Sequence, residues 1–150
     1  MSKLIFLDAS PLGMVTHPRA KGLNLVCQLW LETQLTKGST IFIPEITDYE
    51  VRRELTRAGK TNSLKKLDQL IAVLEYVPLT TNMMRLAAEL WAKMRQEGQP
   101  TADAKALDGD VLLAAQAIAT AQIRNQDIVI ATSNVGHLAR LTNAQDWQSI

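Results

Sequence analysis

Cysteine is almost missing from this sequence of 150 residues, where Cys27 stands alone. A lone thiol excludes an intramolecular disulfide and a multi-thiolate zinc site. His17 and His137 are the two histidines, too few for a histidine-rich metal centre. Long hydrophobic runs are also lacking, since no stretch reaches the roughly 18 apolar residues that a membrane span needs. The opening Met1-Ser2-Lys3-Leu4-Ile5-Phe6-Leu7-Asp8 holds a short apolar run that an acid interrupts. It is too short for a secretory h-region and ends in no small-residue cleavage site, so the expected address is a reducing cytoplasm. With no repeat, low-complexity tract or linker, one domain over residues 1–150 is expected.

What is present suits a folded core: 47% of the residues are hydrophobic and 21% charged. The net charge of +1 argues for no partner, but its distribution is uneven. Residues 51–66 carry Arg52, Arg53, Arg57, Lys60, Lys65 and Lys66 against Glu54 alone, which is six minus one, or +5. Such a stretch either attracts phosphates or forms a solvated helix face. It contains no aromatic residue, so base stacking gets no support there.

Strand and helix patterns alternate along the chain. Leu4-Ile5-Phe6-Leu7 and Ile128-Val129-Ile130-Ala131 suit strands buried on both faces. Thr40-Ile41-Phe42-Ile43 is a third short strand closed by Pro44, and Tyr76-Val77-Pro78-Leu79 an edge strand. Leu23, Val26, Cys27, Trp30 and Leu31 recur with the spacing of one helical face, ended by Gly38. Further helices are expected after Pro44, after Thr61-Asn62-Ser63, after Thr80 or Thr81, and from about Asp108, with Gly98–Asp103 as a polar loop. Strands separated by helices predict an α/β sandwich with a mostly parallel central sheet. Trp30, Trp91, Met83, Met84 and Met94 read as core or dimer contacts, Cys27 as a small buried hydrophobe, and Trp147 as an anchor for the tail.

Parallel sheets place ligands at the carboxyl ends of their strands. Asp8 follows the first strand, Glu50 lies nearly two helical turns after the second, and Asp108 and Asp110 open the helix before the last. Asn134 follows that last strand. Crowded carboxylates repel unless a cation or protons neutralise them. An oxygen set without thiol suits Mg²⁺ or Mn²⁺, and such an ion supports phosphodiester hydrolysis. The bland alternatives are a turn at Asp8-Ala9-Ser10-Pro11, an N-cap at Asp108 with Asp110 complementing the helix dipole, and ordinary surface ion pairs at Glu50.

These residues resemble the PIN domain, in particular small bacterial proteins similar to VapC-type toxins, along essentially the whole chain. LIFLDASPL is similar to the family's first acidic motif, IPEITDYEVRREL to the second, LDGDVLLAAQA to the third, and IVIATSNVGHL to the strand and polar turn that close the site. The resemblance implies a parallel sheet flanked by helices in three layers, Mg²⁺ or Mn²⁺ as cofactor, and ribonuclease activity on single-stranded RNA. It also implies homodimers and, for toxin-like members, an antitoxin that blocks the site. By position, Asp8, Glu50 and Asp110 are the expected catalytic, metal-facing acids, with Asp108 as an additional one. Two residues two apart in a regular helix differ by about 200°, so Asp108 shares an ion with Asp110 only if it precedes the helix.

Thr132, Ser133 and Asn134 are expected around the acids or in contact with substrate, and Arg52, Arg53 and Arg57 along the RNA backbone. The family often carries a fourth aspartate at the place of Asn134 or three residues later; here those places hold Asn134 and His137. A neutral fourth group weakens metal affinity and leaves the number of ions open. His137 reads as a surface residue or a phosphate contact. Two other readings stand beside the nuclease: a catalytically weak or inactive binding module for nucleic acid or protein, and a nuclease acting on DNA ends.

Overall fold

The strands are β1 (Leu4–Leu7), β2 (Thr40–Pro44), β3 (Glu75–Val77), β4 (Ile128–Thr132) and β5 (Ala144–Asp146). All pair in parallel, in the order β3-β2-β1-β4-β5. Side-chain alternation gives the sheet two apolar faces. Ile5, Leu7, Ile41, Ile43, Val129 and Ala131 pack in one core cluster, and Leu4, Phe6, Phe42, Ile128 and Ile130 in another. Burial of each large side chain in these rows contributes roughly 1.5–3 kcal/mol. The computed structural model describes residues 3–98 and 104–150.

The helices are α1 (Ala9–Val15), α2 (Gly22–Thr36), α3 (Glu45–Arg57), α4 (Thr61–Val73), α5 (Thr81–Gln96), α6 (Ala104–Arg124) and the short α7 (Val135–Leu138). Cys27 and Leu31 of α2, with Leu67 of α4, join the first cluster. Leu113 and Ala117 of α6 join the second. Helices therefore cover both faces, and the three-layer α/β architecture expected from the strand and helix alternation is present. Outside it, α5 packs on α6 through Ala87, Leu107, Val111 and Ala115. Among the described residues no helix is long and apolar enough to cross a membrane.

Four elements differ from the sequence expectation. Residues 9–15 form α1, a helix not expected from the sequence pattern, with Asp8 as N-cap accepting from the Ala9 amide. The second sits at the other end of the chain: β5 is a three-residue edge strand, Ala-Gln-Asp, without an apolar run to announce it. On α2 only Cys27 and Leu31 of the expected face are fully buried; Leu23 and Val26 are 54% and 47% exposed. Apolar residues encircle that helix, so spacing alone could not choose its buried side. Finally, α6 starts at Ala104, ahead of Asp108. The expected loop beyond Gly98, and Met1 and Ser2, lie outside the described residues.

Several core readings hold. Gly38 takes a φ of 85° just past α2, and Thr80 caps α5 by accepting from the Met83 amide at 3.2 Å. Trp147 is buried and meets Trp30 edge to face at 5.7 Å, fastening the C-terminal segment to α2. Cys27 is buried, and desolvation pushes its thiol up to about 12, so it behaves as a hydrophobe rather than a nucleophile. Met83 and Met94 are core residues, whereas Met84 and Trp91 are exposed.

From β1 the chain builds outward through β2 and β3, then crosses to the other side of β1 for β4 and β5. The strand order thus reverses between β1 and β4, and the carboxyl ends of these two strands flank the crevice where such sheets bind ligands.

Candidate active site

Asp8 stands at that crevice. Its amide donates to the Ala131 carbonyl at 3.0 Å, which continues the β1–β4 ladder by one residue. One carboxylate oxygen accepts from the Ala9 amide at 2.7 Å, and the other from Thr132 Oγ1 at 2.7 Å. Thr132 Oγ1 in turn accepts from the Asn134 amide at 3.0 Å. The last residue of β4 therefore fixes the acid that follows β1.

Glu50 and Asp110 come to Asp8 from opposite flanks, on α3 and α6. Both are half-buried, and neither accepts a hydrogen bond from a described residue. Burial first, and then the negative charge of Asp8, push Glu50 up to about 7; Arg53 opposes this and Asp110 adds to it. Burial and then Asp8 push Asp110 up to about 6, opposed by His137. The charge of Asp8 thus reaches both other acids, and that of Asp110 reaches Glu50, at one edge of the sheet. Among the described residues no three acidic, histidine or cysteine side chains are gathered tightly enough to hold an ion as they stand. Their chemistry still fits a hard cation, because the donors are all oxygen and the local charge is uncompensated.

The PIN domain model matches residues 5–140, which includes all three acids and the Thr132 turn. The chain belongs to the PIN-domain family. Solved structures give the same fold at low identity. A chain of VapBC2 from Rickettsia felis, bound to a DNA fragment from their promoter, superposes with a TM-score of 0.69 at 21% identity, covering 96% of this chain and 98% of that one. Chains of VapBC-1 from nontypeable Haemophilus influenzae and of DNA-bound VapBC from Salmonella typhimurium each give 0.65, at 14% and 20% identity. Coverage is 97% of this chain and 98% of the Haemophilus one, and 98% and 99% for Salmonella. No curated protein matches the chain significantly by sequence.

Within this PIN fold the other expected site residues separate. Asp108 lies inside α6 rather than before it and is exposed; with Met84, Trp91 and Val111 it lines a shallow cavity on the α5 side. The expectation that it faces the same ion as Asp110 is corrected by the 200° between them in a regular helix. Thr132 touches an acid, but Ser133 does not: its hydroxyl pairs with that of Ser10 at 2.7 Å. Asn134 is the exposed N-cap residue of α7 and makes no side-chain cap bond. His137 stands close enough to Asp110 to affect its charge, so it belongs to the site's rim rather than a remote surface.

Two of the six cations in the basic stretch are paired in place. Arg52 pairs with Asp48 at 3.0 Å and Asp68 at 2.8 Å, tying α3 to α4, while Tyr76 donates to Asp48 at 3.0 Å. Arg57 pairs with Glu54 at 2.9 Å. Arg53 instead lies over the Tyr49 ring at 5.1 Å and acts on Glu50. Of the three arginines expected on RNA, Arg53 alone keeps a cation beside the acids.

A pH signature follows for metal-free PIN protein. A carboxyl whose folded pKa is raised binds protons more tightly when folded, so stability falls as pH rises through the shifted range. Asp110→Asn should match wild type below pH 3.8, gain between there and about 6, and stay more stable above. Glu50→Gln should do the same between 4.5 and about 7. Each gain is about 1–2 kcal/mol, discounted for partial exposure. Urea titrations in EDTA across this range check it; a gain independent of pH counts against the coupling.

Proposed function

We propose that this chain is a Mg²⁺- or Mn²⁺-dependent endoribonuclease that hydrolyses single-stranded RNA, and that it is the toxin of a cytoplasmic toxin–antitoxin pair. The observation that carries this reading is the approach of Asp8, Glu50 and Asp110, from three separate elements, at the strand-order reversal. A divalent ion, when bound, supplies Lewis-acid polarisation of a phosphoryl oxygen and a more acidic water. The chain's own part is to hold, orient and desolvate. Asp8, Glu50 and Asp110 would hold the ion, and Thr132 keeps the Asp8 carboxylate turned toward it. The paired hydroxyls of Ser10 and Ser133 are exposed donors for a phosphate beside it. Arg53 and His137 flank the acids and balance the charge of an incoming RNA strand.

Similarity to chains of VapBC complexes supports an antitoxin as partner. Exposed apolar residues on α2 (Leu23, Val26 and Leu29) give a homodimer or that partner something to bury. The neutral Asn134 favours the second reading, a weak or inactive binding module. One experiment separates them: purified protein, stripped with EDTA, should cleave single-stranded RNA only after Mn²⁺ or Mg²⁺ is restored. RNA bound but never cut, with either metal, would establish the binding module.

The salt dependence of RNA binding tests the arginines. Arg53→Ala should reduce the slope of log K against log salt by about 0.7, the loss of one phosphate contact on a single strand. Arg52→Ala should leave the slope unchanged and lower thermal stability, because its charge is already spent on Asp48 and Asp68. A lower slope for Arg52→Ala would restore the whole stretch as an RNA track.

A further inference from the structure

Gly109 sits in the interior of α6, between Asp108 and Asp110, and is not among the residues of positive φ. The helix therefore has no conformational need for glycine there, and alanine would be the better helix former. What the missing side chain provides is space. A methyl group on Gly109 would stand 3.0 Å from Glu50 Oε2, 3.5 Å from its Cδ and 3.6 Å from Oε1. A contact of 3.0 Å is tighter than most that a real Cβ makes, so the carboxylate would have to give by a few tenths of an ångström. Glu50 is the end of a flexible side chain, so it can swing aside without disturbing the backbones of α3 and α6.

We propose that Gly109 is a positioning residue: its bare surface on α6 is the seat that lets the Glu50 carboxylate lie against that helix, beside Asp110 and within reach of Asp8. This rests on the reading of these acids as the cation site. Glycine at this one turn trades helix stability for the placement of a ligand that arrives from another helix. A larger residue there would press on the Glu50 carboxylate and shift it from this seat.

The test uses the full chain with Gly109→Ala, Glu50→Ala and the double variant. Gly109→Ala should raise Tm in EDTA by a few degrees. It should weaken Mn²⁺ binding, measured by calorimetry, about tenfold, as displaced supporting groups do. In the Glu50→Ala background the same change should alter Mn²⁺ affinity by less than about twofold, because the displaced group is gone. In metal-free protein the Glu50 side-chain carboxyl ¹³C resonance should shift on Gly109→Ala. An unmoved resonance, unchanged Mn²⁺ affinity, or equal losses in both backgrounds would overturn the assignment while leaving the nuclease reading intact. A wild type that binds no Mn²⁺ would sink the cation reading, while the carboxyl resonance in metal-free protein would still decide whether Gly109 seats Glu50.

Discussion

Asp8→Asn is expected to lower RNA cleavage by more than about a hundredfold, or ~2.7 kcal/mol of transition-state stabilisation. Asp8 is the acid whose charge reaches both of the others, raising Glu50 and Asp110 alike. Asparagine keeps its outline and can still accept from the Ala9 amide, but it removes the charge that a divalent cation needs. The same substitution should raise thermal stability in EDTA, since it relieves repulsion on two half-buried carboxylates. Opposite signs for activity and stability distinguish a charge effect from damage to the fold. Thr132→Val, which removes the hydroxyl on Asp8, should cost about tenfold in activity, less than losing the acid. Steady-state cleavage by Asp8→Asn at the wild-type rate would remove this edge of the sheet from the chemistry.

The largest effect on stability is expected from Gln116→Leu. Gln116 is fully buried on α6. Its Oε1 accepts from the Ile46 amide at 3.2 Å, satisfying an otherwise orphaned donor in the first turn of α3. Its Nε2 donates to the Val77 carbonyl at 2.7 Å, at the end of β3. Leucine would leave both backbone groups unpaired in the interior at roughly 1–3 kcal/mol each. A loss of about 2–5 kcal/mol, read as a fall in Tm on the order of 5–15 °C, is the expected result. Because Gln116 ties the helix of Glu50 to the helix of Asp110, cation affinity should fall as well. A loss below about 1 kcal/mol would mean that water reaches both orphaned groups.

Much of the fold was legible because a parallel sheet buries its strands on both faces. Leu4–Leu7 and Ile128–Thr132 are adjacent interior strands buried throughout, and Leu4–Leu7 and Ile128–Ala131 are unbroken apolar runs. β5 escaped because an edge strand of three residues needs only backbone pairing, which leaves no trace in Ala-Gln-Asp. Asp8, Glu50 and Asp110 were candidates by their place in the chain and were singled out by resemblance to the family's motifs; the structure brings the charge of Asp8 to bear on both others. Thr132 was found as a neighbour of the acids, whereas Gly109 and Gln116 were not. A glycine that makes room for a carboxylate, and a glutamine that satisfies backbone groups of other elements, act through contacts distant in sequence. The pairing of Arg52 was hidden for the same reason: its partners Asp48 and Asp68 lie outside the charge run over residues 51–66.

The order of the strands also decides when the site can first exist during synthesis. β1 is made first, yet it is the middle strand, and its pairing with β4 waits for residues 128–131. Asp8 loses its Thr132 hydrogen bond and its Ala131 ladder contact until that segment has left the ribosome. Domains fold as units as the chain emerges, and such non-local pairing is slow to form. A nascent chain that ends short of β4 therefore lacks the contacts that fix Asp8. The edge of the sheet that gathers the acids is thus completed by β4, long after the strand that carries Asp8 has been made.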